Sequence, residues 1–450
     1  MNQDTQGKQL IPRALGDGLI LRQATTEDTE ELAAFNAEIH NHGAEEPNEF
    51  MSVWTRDLMS GKHPTVDVND FTVVEDTCAG KIVSSLNLIS QTWSYGGIKF
   101  GVGRPELVGT HPDYRNRGLI RAQFEVVHAW SLERGEKLQA ITGIPYFYRQ
   151  FGYEMGLDLG GEREGYKSKV PKLKNNEAEP YRVRPATEID LPFITKVYEQ
   201  AMQRYLVTCI RDEVLWRYEL NGHSQRSTSR MELCVVENAE EKSIGFLVHP
   251  PNLWGGKLEA IAYELEQGIS WLAVTPTAVR YLLEKGKEYA KRDQKEEPDS
   301  FQLGLGIEHP AYQVINDWIP RIIRPYAWYV RVPDLPDFLQ HVACVLEQRL
   351  AESALVGHTG ELKINFYRNG LRLAFEKGRL TQVDLWKPTD SEEGSAAFPD
   401  LTFLQLLFGY RSLEELDYAF ADCWTKNDEA QVLLKILFPK QPSFAHWPVG

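Results

Sequence analysis

Four consecutive residues, Arg115-Asn116-Arg117-Gly118, stand directly ahead of an apolar-periodic stretch carrying Leu119, Ile120, Phe124 and Val127. Arginines and a glycine at a helix start suit a pyrophosphate. The free N–H groups of the first turn point outward, and the macrodipole favours an anion there. Gly118 permits close approach to the backbone, and Arg115 and Arg117 add charge-assisted bonds. Taken alone, this pattern reads equally as a solvated basic cap. Its setting is more specific. Leu107-Val108-Gly109-Thr110 reads as a strand end and His111-Pro112-Asp113-Tyr114 as a turn. A second strand follows over residues 138–142, and then Tyr146-Phe147-Tyr148-Arg149-Gln150-Phe151-Gly152-Tyr153.

These segments belong to a chain of 450 residues with 42% hydrophobic content, enough for several globular cores. The net charge of −15 argues against nucleic acid or an anionic membrane as the main partner and suits a cationic small molecule, although it also serves plain solubility. Five scattered cysteines, none in C-x-x-C spacing, fit a reducing cytoplasm. Neither a signal peptide nor a membrane span is expected.

The segment L-R-Q-A-T-T-E-D at residues 21–28 returns as V-R-P-A-T-E-I-D at 183–190. Each reads as a strand, a threonine cap with an acidic residue three positions on, and a helix, which suggests a duplicated domain. A polar linker over residues 171–180 separates the copies. A third region begins near residue 333. Alternation over 362–366, an Asn369-Gly370 type I′ turn, a return strand over 371–375 and a third strand over 381–386 predict a meander. Asp400 caps a helix over 401–408 that Gly409 ends, and Ser412 with Glu415 forms a further capping box.

The strand, R-N-R-G loop, helix, strand and F-Y-R-Q-F-G-Y series resembles the GCN5-related N-acetyltransferase (GNAT) superfamily, whose cofactor motif is R/Q-x-x-G-x-G/A. Thr110 replaces the usual strand-end valine, and Ile120 the usual glycine or alanine. Along most of its length the chain resembles the enhanced-intracellular-survival (Eis) subfamily. That resemblance implies an α+β protein of two tandem GNAT-type folds, catalytic over 1–165 and degenerate over 166–332, followed by a sterol-carrier-protein-like domain over 333–450. It implies an acetyl-CoA-dependent N-acetyltransferase, cytoplasmic and homo-oligomeric, a trimer or hexamer. Acetyl-CoA would be held by Val108, Gly109, Thr110, Arg115, Asn116, Arg117, Gly118, Leu119 and Ile120.

Attack of an amine on the thioester leaves a thiolate in need of a proton. A tyrosine, with a pKa near 10, can supply it. The resemblance assigns this to Tyr148 and gives the base role to the C-terminal carboxylate of Gly450. It places the loop carrying Glu45, Glu46 and Glu49 beside a small-molecule amine acceptor, a polyamine or aminoglycoside. A solvated acidic loop is the alternative. His40 and His42 lack a third ligand, so no metal is expected. The second copy has no R-x-x-G-x-G equivalent, and residues 306–312 are its counterpart of the Tyr148 region, so one active site per chain is expected. Rival readings are transfer of a longer acyl chain and a non-catalytic acyl-CoA- or lipid-binding protein.

Overall fold

The computed structural model describes residues 10–41, 43–174 and 177–445. The repeated sequence motif builds the same local structure twice. β1 (Arg13–Gly16) and β2 (Leu19–Gln23) form a hairpin, and a 3-10 turn over Thr26–Asp28 leads into α1 (Thr29–Ile39). Asp28 accepts from the backbone N–H and hydroxyl of Thr25 at 2.7 and 3.0 Å, and from both terminal nitrogens of Arg22 at 2.7 and 2.8 Å. In the second copy, Asp190 accepts from Thr187 at 2.8 and 2.9 Å and from Arg184 at 2.8 and 2.9 Å. Each arginine also reaches a glutamate on the next strand of its sheet, Glu75 and Glu237 respectively. Independent strand–helix starts would not reproduce such a bonding set.

The Arg184 bonds hold the Asp190 carboxyl below the usual carboxylate range despite its burial. Asp190→Asn therefore lowers stability by about 1.5–3 kcal/mol at neutral pH. A folded pKa below the unfolded one means that the contribution is present above the unfolded value and lost as pH falls through the folded one. Urea titrations from pH 7 into acid check this. A wild-type-to-variant difference that stays constant with pH would refute it.

After α2 (Glu49–Met59), the chain lays down β3 (Phe71–Asp76), β4 (Lys81–Tyr95) and β5 (Ile98–Thr110). α3 (Leu119–Glu133), β6 (Leu138–Ile141), β7 (Glu154–Leu159) and β8 (Glu162–Tyr166) follow. The first sheet runs β1-β2-β3-β4-β5-β6, then a strand from far along the chain, Tyr326–Arg331, and then β7. Conversely, β8 leaves this sheet. It pairs antiparallel with Ser300–Leu303 and Arg321–Ile323, beside Leu258–Ala260. The chain thus crosses between the two sheets near residues 165 and 330. Val207–Cys209 also joins the first sheet, antiparallel to the end of β4, whereas Arg182–Pro185, Glu232–Glu237, Ser243–His249 and Ala262–Leu265 form a separate antiparallel sheet.

The third region contains the expected meander, Gly360–Asn365, Gly370–Glu376 and Arg379–Trp386. Its first turn differs from the type I′ expectation. The left-handed residue is Tyr367, whose N–H donates to the Asn365 side chain at 2.6 Å, while Gly370 already lies in the strand. A β-carbon on Gly370 would come within 2.6 Å of Trp386, so glycine is needed there for close packing and not for turn geometry. The helix after Asp400 is shorter than expected, Phe403–Leu407, because Asp400 itself takes a left-handed φ of 46°. Ser412 and Glu415 form the capping box as read.

One apolar core joins Trp93, Phe100 and Trp328 of the first sheet to Phe338, Leu362 and Phe408 of the third region. The Tyr95 hydroxyl donates to the Leu407 carbonyl across this seam at 2.8 Å. No described helix is long and apolar enough to cross a membrane.

Candidate active site

β5 frames the site. Its register with β4 slips so that Ser85 faces Gly109 while Asn87 faces Glu106, which leaves Leu107 and Val108 opposite Leu86 alone. Leu107 takes a φ of 51°, an unfavourable conformation for a leucine, at this bulge. On its other edge, β5 pairs with β6 only at Val102 and Gly103. Beyond Gly103 the two strands part. The gap is a cleft of about 1220 Å³, walled by Glu106–Thr110 on one side and by Ile141, Gly143, Ile144 and Tyr148 on the other.

A buried polar chain fixes the end of β5. The Thr110 and Ser84 hydroxyls lie 2.9 Å apart, Ser84 donates to the Gln123 carbonyl at 2.7 Å, and the Gln123 amide donates to the Thr72 carbonyl at 3.1 Å. Gln123 is on α3, so this chain ties the strand end to the helix whose N-terminus enters the cleft. The connection passes through Asn116 and Gly118, with φ of 63° and 76°, and Gly118 caps α3. No atom lies within 4 Å of where a Gly118 β-carbon would be, so the backbone there is open to a ligand.

The cleft brings together Val108, Gly109, Thr110, Arg115, Asn116, Gly118, Leu119, Ile120 and Tyr148. Arg117 is not among its walls. Its guanidinium lies 5.1 Å over the Tyr114 ring. Ile120 packs half-buried against the Phe124 and Tyr148 cluster, the space that a glycine or alanine would leave open. Ile39 at the end of α1 and His40, Asn41 and Gly43 after it line the cleft, whereas Glu45 and Glu46 stand exposed outside it. Gly450 and His42 lie outside the described residues. No cluster of three metal-ligating side chains occurs among the described residues.

Tyr148 sits on a 3-10 turn, Phe147–Phe151, that follows a left-handed Tyr146. Its ring is 4% exposed and packs edge-on against Phe124, Phe147 and Tyr329. Its hydroxyl faces Gly143, where a β-carbon would come to 3.3 Å from it. No described residue hydrogen-bonds that hydroxyl. Burial, reinforced by Glu106, drives its pKa well above the usual tyrosine value, so it keeps its proton at any physiological pH. In the second unit, the corresponding Tyr312 is differently placed. Its hydroxyl accepts from the Leu305 N–H at 3.0 Å and lies within hydrogen-bond range of the Leu303 and Gly306 carbonyls, at 3.0 and 3.1 Å. It is a structural pin.

Glu106 was not singled out from sequence. It lies in the cleft wall just before the bulge, paired with the fully buried Arg104, which in turn stacks 4.8 Å over the Trp328 ring. Burial raises its carboxyl pKa, with Arg104 acting in the opposite sense. The cleft therefore combines a protonated phenol, a carboxyl of raised pKa, backbone at a bulge and a helix N-terminus. That set can move protons in both directions beside a stabilised oxyanion.

Residues 21–156 match the acetyltransferase (GNAT) domain family. Among solved structures, a probable N-acyltransferase of unknown function from Enterococcus faecalis aligns over 95% of this chain and 98% of its own, with 16% identity and a TM-score of 0.66. A GCN5-related N-acetyltransferase from Kribbella flavida aligns over 96% and 99%, at 16% identity and a TM-score of 0.63. Eis1 from Mycobacterium abscessus aligns over 94% and 98%, at 13% identity and a TM-score of 0.59. At these identities the likeness is one of fold. No curated protein sequence matches the chain.

Proposed function

With an acetyltransferase (GNAT) domain over residues 21–156 as the premise, we propose that this transferase is an acetyl-CoA-dependent N-acetyltransferase acting on a cationic small-molecule amine. The observation that carries the reading is the parting of β5 from β6 beyond Gly103, with the bulge at Leu107 and Val108 in one wall and, in the other, a Tyr148 hydroxyl that no described residue bonds. The residues present fit an acyl-CoA. Gly118 and the start of α3 offer an open anion cradle, with Arg115 beside it.

The cosubstrate brings the acyl group as a thioester; everything else falls to the chain. The Val108 N–H at the bulge polarises the thioester carbonyl and holds the oxyanion, while the Leu107 N–H serves the Glu106 carboxyl. Glu106 takes the proton of the attacking amine, directly or through water. Tyr148 donates to the departing sulfur. Ile39, His40, Asn41 and Gly43 border the acceptor, and the net charge of −15 favours the approach of a polyamine or aminoglycoside-like cation. We assign the catalytic unit to residues 1–165, a degenerate partner to 166–332 and a sterol-carrier-like unit to 333–450, in a cytoplasmic homo-oligomer.

The test is CoA release from acetyl-CoA in the presence of aminoglycosides, polyamines and protein lysines, with longer acyl-CoAs alongside. Amine-dependent release fastest with acetyl-CoA is expected. Release no faster than hydrolysis with every amine would overturn the reading in favour of a binding protein.

A further inference from the structure

Residues 143–146 (G-I-P-Y), after Thr142, connect β6 to the 3-10 turn that carries Tyr148, and they keep only long turn bonds of their own, Phe147 N–H to the Ile144 carbonyl and Arg149 N–H to the Tyr146 carbonyl, both at 3.3 Å. Both ends are left-handed, Gly143 at φ 128° and Tyr146 at φ 60°. Tyr146 bears a β-carbon, so that conformation must be imposed from outside. The segment is also outward-facing, with Ile144 60% and Tyr146 65% exposed. What grips it is the strand Tyr326–Arg331, which reaches the first sheet only after the whole second unit has intervened. The Tyr326 hydroxyl donates to the Gly143 carbonyl at 3.2 Å. The Tyr146 N–H donates to the Tyr329 hydroxyl at 2.6 Å. The Tyr329 ring is fully buried and stands 5.8 Å edge-on from the Tyr148 ring. Gly143 in turn borders the Tyr148 hydroxyl.

We propose that Tyr326 and Tyr329 are positioning residues for acyl transfer: they clamp the two ends of residues 143–146 and so aim the Tyr148 hydroxyl into the cleft. The second unit is then part of the catalytic apparatus through the strand that it returns. This rests on Tyr148 as the proton donor.

Tyr329→Phe keeps the ring and removes the hydroxyl that receives the Tyr146 N–H. The expected result is a fall in kcat of about tenfold, because small misplacement of a reacting group is costly. KM for acetyl-CoA should stay within about twofold of wild type, and the unfolding midpoint should be unchanged. Tyr326→Phe, at a residue 38% exposed, should act in the same direction and carries the test if Tyr329→Phe does not fold. In a Tyr148→Phe background, neither change should lower kcat further, since the clamp has nothing left to aim. Unchanged kcat in both single variants, beside an impaired Tyr148→Phe, overturns the clamp alone. A further fall in the Tyr148→Phe background also overturns it, by showing an effect not routed through Tyr148. An unimpaired Tyr148→Phe removes the proton-donor reading itself, and the clamp with it.

Discussion

Tyr148→Phe lowers kcat by about 10²-fold, and by at least about tenfold, with little change in KM for acetyl-CoA. The phenyl ring retains the edge-on contacts with Phe124, Phe147 and Tyr329, so the cleft wall keeps its shape and only the proton is lost. The size follows from the departing group. A thiol titrates near 8.5, so a thiolate can leave without help, and the donor contributes a moderate acceleration and not an absolute requirement. The pH profile gives a second check. Burial raises the Tyr148 pKa beyond the normal phenol range. The acid form therefore persists, and Tyr148 produces no basic limb below about pH 10. A basic limb in kcat near neutrality that disappears in Tyr148→Phe would contradict this assignment, as would an unchanged kcat.

Glu106→Gln is expected to be comparably damaging, with kcat down by about 10²-fold. The amide keeps the size of the side chain but cannot accept the proton of an attacking ammonium. Because the carboxyl pKa is raised by burial, Glu106 becomes protonated at a higher pH than an ordinary glutamate does as the solution is acidified. Wild-type kcat therefore rises with pH through that value, and this acid limb is absent in Glu106→Gln. A bound amine also titrates, so the decisive quantity is the difference between the two profiles with one acceptor. Superimposable acid limbs would retire Glu106 as base and leave it as the counter-charge of the buried Arg104. Rate–pH profiles in steady state measure both.

Much of this site is readable in the chain because its parts are local. The R-N-R-G loop, the strand end before it and the Tyr148 segment occupy about 50 consecutive residues. Their backbone requirements are marked by residue type: Gly118 at a left-handed cap, a turn at His111-Pro112 and an apolar stripe on α3. The duplicated threonine cap is equally local, and both copies form the same bonds. The features that escaped depend on pairing between distant segments. Nothing in the run E-L-V-G-T says that two residues of β5 face one of β4, so the bulge and its left-handed Leu107 could not be placed. Glu106 gains its raised pKa from burial and its setting from Arg104 and Trp328, one of which is more than 200 positions away. The Asn369-Gly370 reading failed for a related reason. The glycine is demanded by Trp386 on the next strand, and not by the turn beside it. Tyr326 carried no signal at all, since an exposed aromatic at a strand start acquires meaning only from the neighbour it touches.

The insertion of Tyr326–Arg331 between β6 and β7 also sets an order of events during synthesis. β7 is complete at residue 159, yet the strand that joins it to β6 ends at 331, 172 residues later. At roughly 5–20 residues per second, the nascent chain waits on the order of 10–30 s with a gap in its first sheet. For that interval both strands flanking the gap present unpaired edges, a hazard for misassociation. The first sheet therefore closes late in synthesis, only once the strand ending at residue 331 has been made.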